Sequence, residues 1–222
     1  MEKIRSLSGD VGCGVLLSAL FFIYLAFGTP EWLVSDPRIL GAQFEKMGLW
    51  VHCLRSLPRP YEADAPKQFF VGCRWVYDPF TTEYNHIWEF SLPRSMIATQ
   101  LFFTVCCLLI LVSFGLMLLF ILCCRPTEKR YILLIKIISY LSFTSGIHGA
   151  IAVIIFACMG NTDGWMSGHT NNYFGWSFAM AVVGTTLALI ASILFLIEAN
   201  IQNKKHRNFR EFQMQLQLQL NA

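Results

Sequence analysis

Residues 97–124 of the chain read IATQLFFTVCCLLILVSFGLMLLFILCC. The only polar residues in this run of 28 are Thr99, Gln100, Thr104 and Ser113. About 20 consecutive apolar residues are enough for an α-helix to cross the hydrocarbon core of a bilayer. The run therefore predicts a transmembrane helix.

Three further apolar runs lie on either side of this one. With it they predict four membrane spans, at 11–28, 96–124, 131–160 and 174–198. The composition agrees, because 55% of the 222 residues are hydrophobic and 14% are charged, whereas about 25% of a soluble domain is charged. The 19 Phe, 6 Trp and 7 Tyr exclude a disordered chain. A net charge of +3 gives no reason to expect nucleic acid as a partner.

Lys and Arg residues set the expected orientation. They are concentrated in 1–10, 125–130 and 199–222, which the positive-inside rule places in the cytoplasm. The loops 29–95 and 161–173 then lie outside. The first span has an alternative interpretation, because it follows basic residues and ends in a small-x-small sequence, like a secretory signal peptide. It is longer than the usual signal core of about 7–15 residues, so we favour a retained helix.

Small residues recur at four-residue spacing in three of the spans. Lipid provides no hydrophobic drive between helices, so small residues that allow close backbone approach mark their contacts. This pattern predicts a compact four-helix bundle, although Gly and Ala are also common in membrane helices generally. The proposed packing residues are Gly14, Ser18, Ser142, Gly146, Ala150, Gly184, Ala188 and Ser192.

The cytoplasmic edge carries three features of interest. Cys123 and Cys124 end the second span and are candidates for reversible palmitoylation, the alternative being inert thiols. Glu198 ends the fourth span and is expected at the interface. Residues 213–220 alternate Gln with apolar residues, which suits either a strand added to a partner or a low-complexity tail.

The outer loop 29–95 is too long to be a plain connector. Cys53 and Cys73 are the only cysteines clearly outside, in an oxidising compartment, so we expect a disulfide between them. Metal binding at His52 and Cys53 is the alternative, but no second ligand pair has zinc spacing. Apolar residues around both cysteines alternate as in strands, which predicts a small antiparallel sheet stapled by the disulfide and seated on the bundle.

Six residues in this loop form a more specific pattern: Trp32, Gly48, Leu49, Trp50, Cys53 and Cys73. This W–GLW–C–C arrangement, between the first two of four spans, resembles the signature of the claudin superfamily. Arg94, at the start of the second span, matches an arginine of that family. The resemblance implies an all-α membrane fold with a small extracellular sheet. It also implies that Trp32, Leu49 and Trp50 anchor the sheet to the bundle, with Arg94 nearby.

Residues 36–50 and 70–75 are most similar to divergent insect claudin-like proteins of the Pasiflora type, which are septate-junction components. The chain departs from vertebrate claudins in three ways. It has 19 residues between the two cysteines, where they have fewer. Its second outer loop, 160–168, lacks their proline-containing motif, which puts strand-forming adhesion in doubt. Its terminus, 220–222, is not the Tyr-Val ending that PDZ domains bind.

The sequence contains no phosphate-binding loop, nucleophile motif or clustered metal ligands. We therefore predict a protein that is not an enzyme and has no cofactor, metal or small-molecule substrate. The resemblance implies a structural component of lateral septate junctions that supports the paracellular barrier of epithelia and glia, including the blood–brain barrier. Its expected partners are the bilayer, other septate-junction membrane proteins and claudin-like proteins, in cis or in trans.

Two other functions remain open at this point. One is a paracellular ion channel, which requires outer-loop charges of one sign around a pore. The loop instead has seven basic and eight acidic residues. The other is an auxiliary subunit of a membrane channel.

Overall fold

The computed structural model describes residues 6–36, 38, 44–58, 69–77, 93–122, 129–162 and 169–220. At 56–58, 69–70, 129–130 and 169 it describes the backbone alone. Cys123, Cys124 and residues 163–168 of the second outer loop lie outside the described residues.

Four helices form the bundle: α1 (Leu7–Gly28), α2 (Arg94–Leu122), α3 (Lys129–Met159) and α4 (Trp176–Leu220). Each is long and apolar enough to cross a membrane. The helix α4 packs along both α1 and α3, and α3 packs along α2, while α1 touches α2 much less. The predicted four-helix membrane bundle is confirmed.

The fourth helix extends well beyond the membrane. Its 45 residues correspond to about 67 Å, and a bilayer core is about 30 Å thick. The alternating residues 213–220 belong to this helix, so in this structure they do not form the strand that their period of two allowed.

Small and hydroxyl residues lie where helices meet in the bundle. Ser142 of α3 hydrogen-bonds Ser113 of α2 with 2.7 Å between the hydroxyl oxygens, and Ser139 donates to the carbonyl of Ser192 at 2.8 Å. A methyl group added to Gly146 would lie 2.6 Å from Leu189, and one added to Gly184 would lie 2.8 Å from Ile23. Ala188 is fully buried, whereas Ala150 is half-buried.

The prediction that Gly14 and Ser18 mark the helix contact of α1 is wrong. Gly14 is exposed, and apart from the backbone of α1 itself no described residue lies within 4 Å of the position a Cβ would take there. Ser18 donates to the Gly14 carbonyl within the same helix at 3.0 Å. Gly9 and Gly12 contact α4 instead. Gly14 lies about 200° around the helix from Gly12, at 100° per residue, and so points away from α4.

A five-stranded antiparallel sheet covers the outer end of the bundle, as predicted. Its strands are β1 (Leu33–Ser35), β2 (Phe44–Met47), β3 (Val51–Pro58), β4 (Phe69–Trp75) and β5 (Asn172–Phe174), in the order β4-β3-β2-β1-β5. The strand β5 comes from the second outer loop and pairs with β1, placing Leu33 opposite Phe174. Both outer loops therefore contribute to one sheet, which the sequence pattern did not predict.

The alternating pattern in β4 left open which of its faces lies against the bundle. Val71 and Trp75 are 67% and 53% exposed, while Val76, which follows the strand, is fully buried. The strand β4 lies at one edge of the sheet, whereas Leu33 of β1, Met47 of β2 and Leu49 of the turn after β2 belong to the buried core. The apolar face of β4 that carries Val71 and Trp75 is consequently exposed and does not pack on the bundle.

Candidate functional site

Trp32 occupies the point where the sheet meets the bundle. It lies four residues after the end of α1 and is fully buried. Its indole Nε1 donates to the carbonyl of Ala26 in α1 at 2.7 Å. Its ring packs edge-on against Phe103 of α2, Phe156 of α3 and Phe178 of α4, with centroids 5.1, 5.0 and 5.8 Å away. One side chain thus contacts all four helices, and its polar atom is satisfied as burial requires.

The turn after β2 packs tightly against the chain that leaves α1. A Cβ on Gly48 would lie 2.6 Å from the Cα of Pro30 and 2.7 Å from the carbonyl oxygen of Thr29. The amide of Trp32 donates to the carbonyl of Met47 at 2.8 Å. Only glycine fits this close backbone approach, which accounts for the Gly in the Gly48-Leu49-Trp50 motif.

Leu49 is fully buried, and its backbone is bonded to α2. Gln100 donates through Nε2 to the Leu49 carbonyl at 2.5 Å and accepts a hydrogen bond from the Tyr77 hydroxyl at 2.7 Å. Gln100 is itself buried. It therefore joins the bundle to the sheet at two points, one before β3 and one after β4.

Sequence reasoning noted Gln100 only as a polar residue in an apolar run. A buried amide within a span needs partners, because unsatisfied polar groups are costly in an apolar environment. That requirement was the available signal for its role.

Trp50 is half-buried and packs on the outer end of α1. Its ring meets Phe27 edge-on at 5.1 Å and lies 6.1 Å from Tyr77. Its carbonyl accepts from the amide of Val76 at 2.8 Å. Trp50 thus packs at the edge of the contact between the sheet and the bundle, whereas Trp32 lies at the centre of this contact.

The predicted disulfide between Cys53 and Cys73 is confirmed, with an S–S distance of 2.00 Å. The two residues lie directly opposite each other in the β3–β4 register. Cys53 is fully buried and Cys73 is exposed. The disulfide uses the Cys53 sulfur that the alternative metal site would have required.

His52 lies on β3, opposite Arg74 of β4 and Met47 of β2. Burial lowers the pKa of His52 to about 4, because the charged imidazolium would lose its solvation. The imidazole is therefore neutral at physiological pH. Among the described residues, no group of three or more His, Cys, Asp or Glu side chains could hold a metal.

Arg94 is the first residue of α2 and is exposed. It makes no hydrogen bond or ion pair to any residue in the described part of the chain. The structure places Trp32, Leu49 and Trp50 where the sheet contacts the bundle. Arg94 makes no hydrogen bond to these three residues.

Exposed apolar residues mark both edges of the sheet. Val71 and Trp75 lie on β4, and Tyr173 and Phe174, 52% and 42% exposed, lie on β5. Clustered exposed apolar side chains are typical of protein or membrane contact surfaces. The arrangement can therefore present a rigid, partly apolar surface to another protein.

Comparison with known proteins agrees with this architecture. Residues 17–197, which include α2, α3, all five strands and parts of α1 and α4, match the family model described as PMP-22/EMP/MP20/Claudin tight junction. A comparison with curated protein sequences finds no match. The stapled outer sheet, its tryptophan seat, the four-helix bundle and this match together show that the chain belongs to the PMP-22/EMP/MP20/claudin family of tight-junction-type tetraspan membrane proteins.

Proposed function

We propose that this protein is a structural, non-enzymatic component of septate junctions that supports the paracellular diffusion barrier of epithelia and glia, including the blood–brain barrier. Family membership supports a tight-junction-type tetraspan protein. The septate assignment draws on the similarity of residues 36–50 and 70–75 to insect claudin-like proteins.

The observation that carries the proposal is the way the outer sheet is held. The disulfide crosslinks β3 to β4, Trp32 anchors β1 among all four helices, and Gln100 ties the sheet to α2. A surface held at three points loses little conformational freedom when it binds, which favours association.

Exposed apolar residues on both sheet edges supply the contact surface. We expect Val71 and Trp75 on one edge, and Tyr173 and Phe174 on the other, to meet other septate-junction membrane proteins or claudin-like proteins. Partners in the same membrane reach the edges laterally. Partners in the opposing membrane are a second mode, which the absence of the claudin proline motif makes less favourable.

The sheet surface also separates this proposal from an ion channel. A selective pore needs charges of one sign around it. Here Arg74 follows Cys73 within a loop of nearly balanced charge. We therefore assign a barrier, and the channel becomes an outcome of the test.

The test is a rescue experiment in embryos that lack the protein. Fluorescent dextran should enter the lumen or nervous system of the deficient embryo, and septate-junction proteins should spread from their lateral band. The wild-type protein should restore exclusion, whereas V71S/W75S should not.

L216S/L218S is the matched control, because it changes two exposed apolar residues of α4 away from the sheet. It should restore exclusion fully. If dextran stays out of deficient embryos and only ion conductance changes, the protein is a channel and the barrier proposal fails.

A further inference from the structure

A basic cavity lies where α4 leaves the bundle. Its volume is about 260 Å³. Its lining comes from one turn of α3 and two turns of α4, and consists of Ile132, Leu133, Lys136, Asn203, His206 and Arg210. Gln202, next to Asn203, is still buried against the bundle, so the cavity opens at the end of the packed region rather than along the free part of α4.

The cavity carries two positive charges that no acidic side chain in the described part of the chain neutralises. Lys136 and Arg210 supply the basic side chains, and neither makes an ion pair with a residue in the described ranges. No carboxylate lines the cavity among the residues that the structure describes. The nearest acidic residue along α4, Glu211, pairs instead with Arg207 at 3.9 Å. Two basic side chains on facing helices, without an ion pair in the described part of the chain, favour an anionic ligand.

His206 adds a directed polar atom. Its Nε2 is buried and has no hydrogen-bond partner within the described part of the chain. Buried polar atoms normally have a partner, and a neutral imidazole nitrogen can donate to a phosphate oxygen. The cavity therefore offers two charges and one unsatisfied polar atom from two helices.

Two apolar residues of α3 also line the cavity. Ile132 is buried, and Leu133 is 59% exposed on the outer surface of α3. Because α3 is one of the four membrane helices, Leu133 faces the lipid. A ligand with a phosphate group at the cations and a hydrocarbon portion beside Leu133 would match both parts of the cavity, whereas a soluble anion would match only the first.

We propose that this cavity binds the headgroup of an anionic phospholipid of the inner leaflet, with a phosphoinositide as the best match. The proposal rests on the cytoplasmic orientation of 199–222. Basic pockets between membrane helices at the cytoplasmic side are suited to such headgroups. Lys136 and Arg210 bind phosphate oxygens, and His206 donates a hydrogen bond to a further phosphate oxygen. The acyl chains run outward past Leu133.

The experiment is a titration of the purified full-length protein, in phosphatidylcholine nanodiscs, with a short-chain phosphatidylinositol bisphosphate. K136Q/R210Q should bind about 30-fold more weakly, which corresponds to about 1 kcal/mol for each lost charge. H206A should also weaken binding. The single variants K136Q and R210Q, each with part of the loss, serve if the double variant does not fold.

K204Q/K205Q is the matched control, because it removes two charges from exposed positions of α4 outside the cavity. It should bind nearly as the wild type does. Equal weakening in both double variants would show diffuse charge attraction and overturn the site. The soluble inositol phosphate headgroup should bind more weakly than the lipid, and equal affinity would overturn the lipid assignment. None of these readouts depends on barrier function.

Discussion

Gln100 is a buried amide in a predominantly apolar helix, and its two hydrogen bonds tie the outer sheet to α2. Its Nε2 reaches the Leu49 carbonyl, and its Oε1 accepts from the Tyr77 hydroxyl. The first partner belongs to the Gly48-Leu49-Trp50 motif, and the second follows β4. The motif therefore depends on a residue of the second span, about 50 positions away in sequence.

Gln100→Leu should loosen the sheet while leaving the bundle intact. It leaves the Leu49 carbonyl and the Tyr77 hydroxyl without this partner, at a cost of about 1–3 kcal/mol. Hydrogen exchange of the β2–β3 amides should speed up, whereas exchange within α3 should not. The control is Thr104→Val, which removes a hydrogen bond inside α2. Equal protection of the sheet in wild type and Gln100→Leu would contradict the role given to Gln100.

His52 should make the outer sheet sensitive to acid. Its pKa is about 4 in the folded sheet and about 6.5 in an unfolded chain. Below pH 6.5 the unfolded state binds a proton that the folded state does not, so stability falls as the pH drops towards 4. The full loss is about 3 kcal/mol. Local unfolding measured by hydrogen exchange should therefore be easier at pH 5 than at pH 7, and His52→Gln should remove most of this difference.

At the scale of elements, the disulfide holds β4 onto β3. The crosslink closes a loop of 20 residues, for which chain-entropy reasoning gives roughly 3 kcal/mol. Cys53→Ser/Cys73→Ser should unfold the outer sheet and stop delivery to the cell surface. Cys158→Ser, which changes an exposed free cysteine, should be delivered normally. Surface labelling distinguishes the two, and normal delivery of the double variant would contradict the importance of the staple.

The first turn of α1 is held by a side chain of α4. Glu198, at the end of the predicted fourth span, is fully buried. It accepts hydrogen bonds from the Ser6 amide at 3.4 Å, from the Ser6 hydroxyl, from Ser8 Oγ at 2.8 Å and from Gln202 Nε2 at 2.8 Å. A carboxylate at a helix N-terminus satisfies free amides and complements the helix dipole.

Glu198→Ala should free the start of α1 from α4, at a cost of about 1.5–3 kcal/mol for lost hydrogen bonds to a charged group. A lower unfolding temperature of the detergent-solubilised protein and faster proteolysis before Gly12 would show this. Glu211→Ala, which affects only an exposed ion pair, should change neither. If the two variants have the same unfolding temperature and the same rate of proteolysis, Glu198 does not hold the start of α1.

At the scale of the whole molecule, we expect both termini in the cytoplasm and α1 retained. Basic residues flank the three segments assigned to that side. The helix α1 packs along α4 from Gly9, which faces Glu198, to Ile23, which faces Gly184. Tags at either terminus should react with antibody only after permeabilisation, whereas a tag inserted in 29–95 should react without it. A mature chain that starts at Thr29 would replace this topology with three helices and a cleaved signal.

The sequence alone determined the features that depend on local pattern and compartment. The length of the apolar runs predicts the four helices, since about 20 apolar residues span a bilayer wherever they occur. The two outer cysteines predict the disulfide because the compartment is oxidising, and strand alternation around them predicts a sheet. The tryptophans could be identified as anchors only through a family resemblance.

The tertiary structure decided which distant residues meet. Trp32 is buried among four helices while Trp50 is half-exposed, although both are tryptophans near one membrane interface. Gly12 rather than Gly14 packs on α4, because helix rotation is set by the neighbouring helix and both glycines suit close approach equally. Gln100, Glu198 and β5 take their partners from segments far away in sequence. The energy of each contact depends on geometry in three dimensions, so no local pattern distinguishes these residues from similar ones nearby.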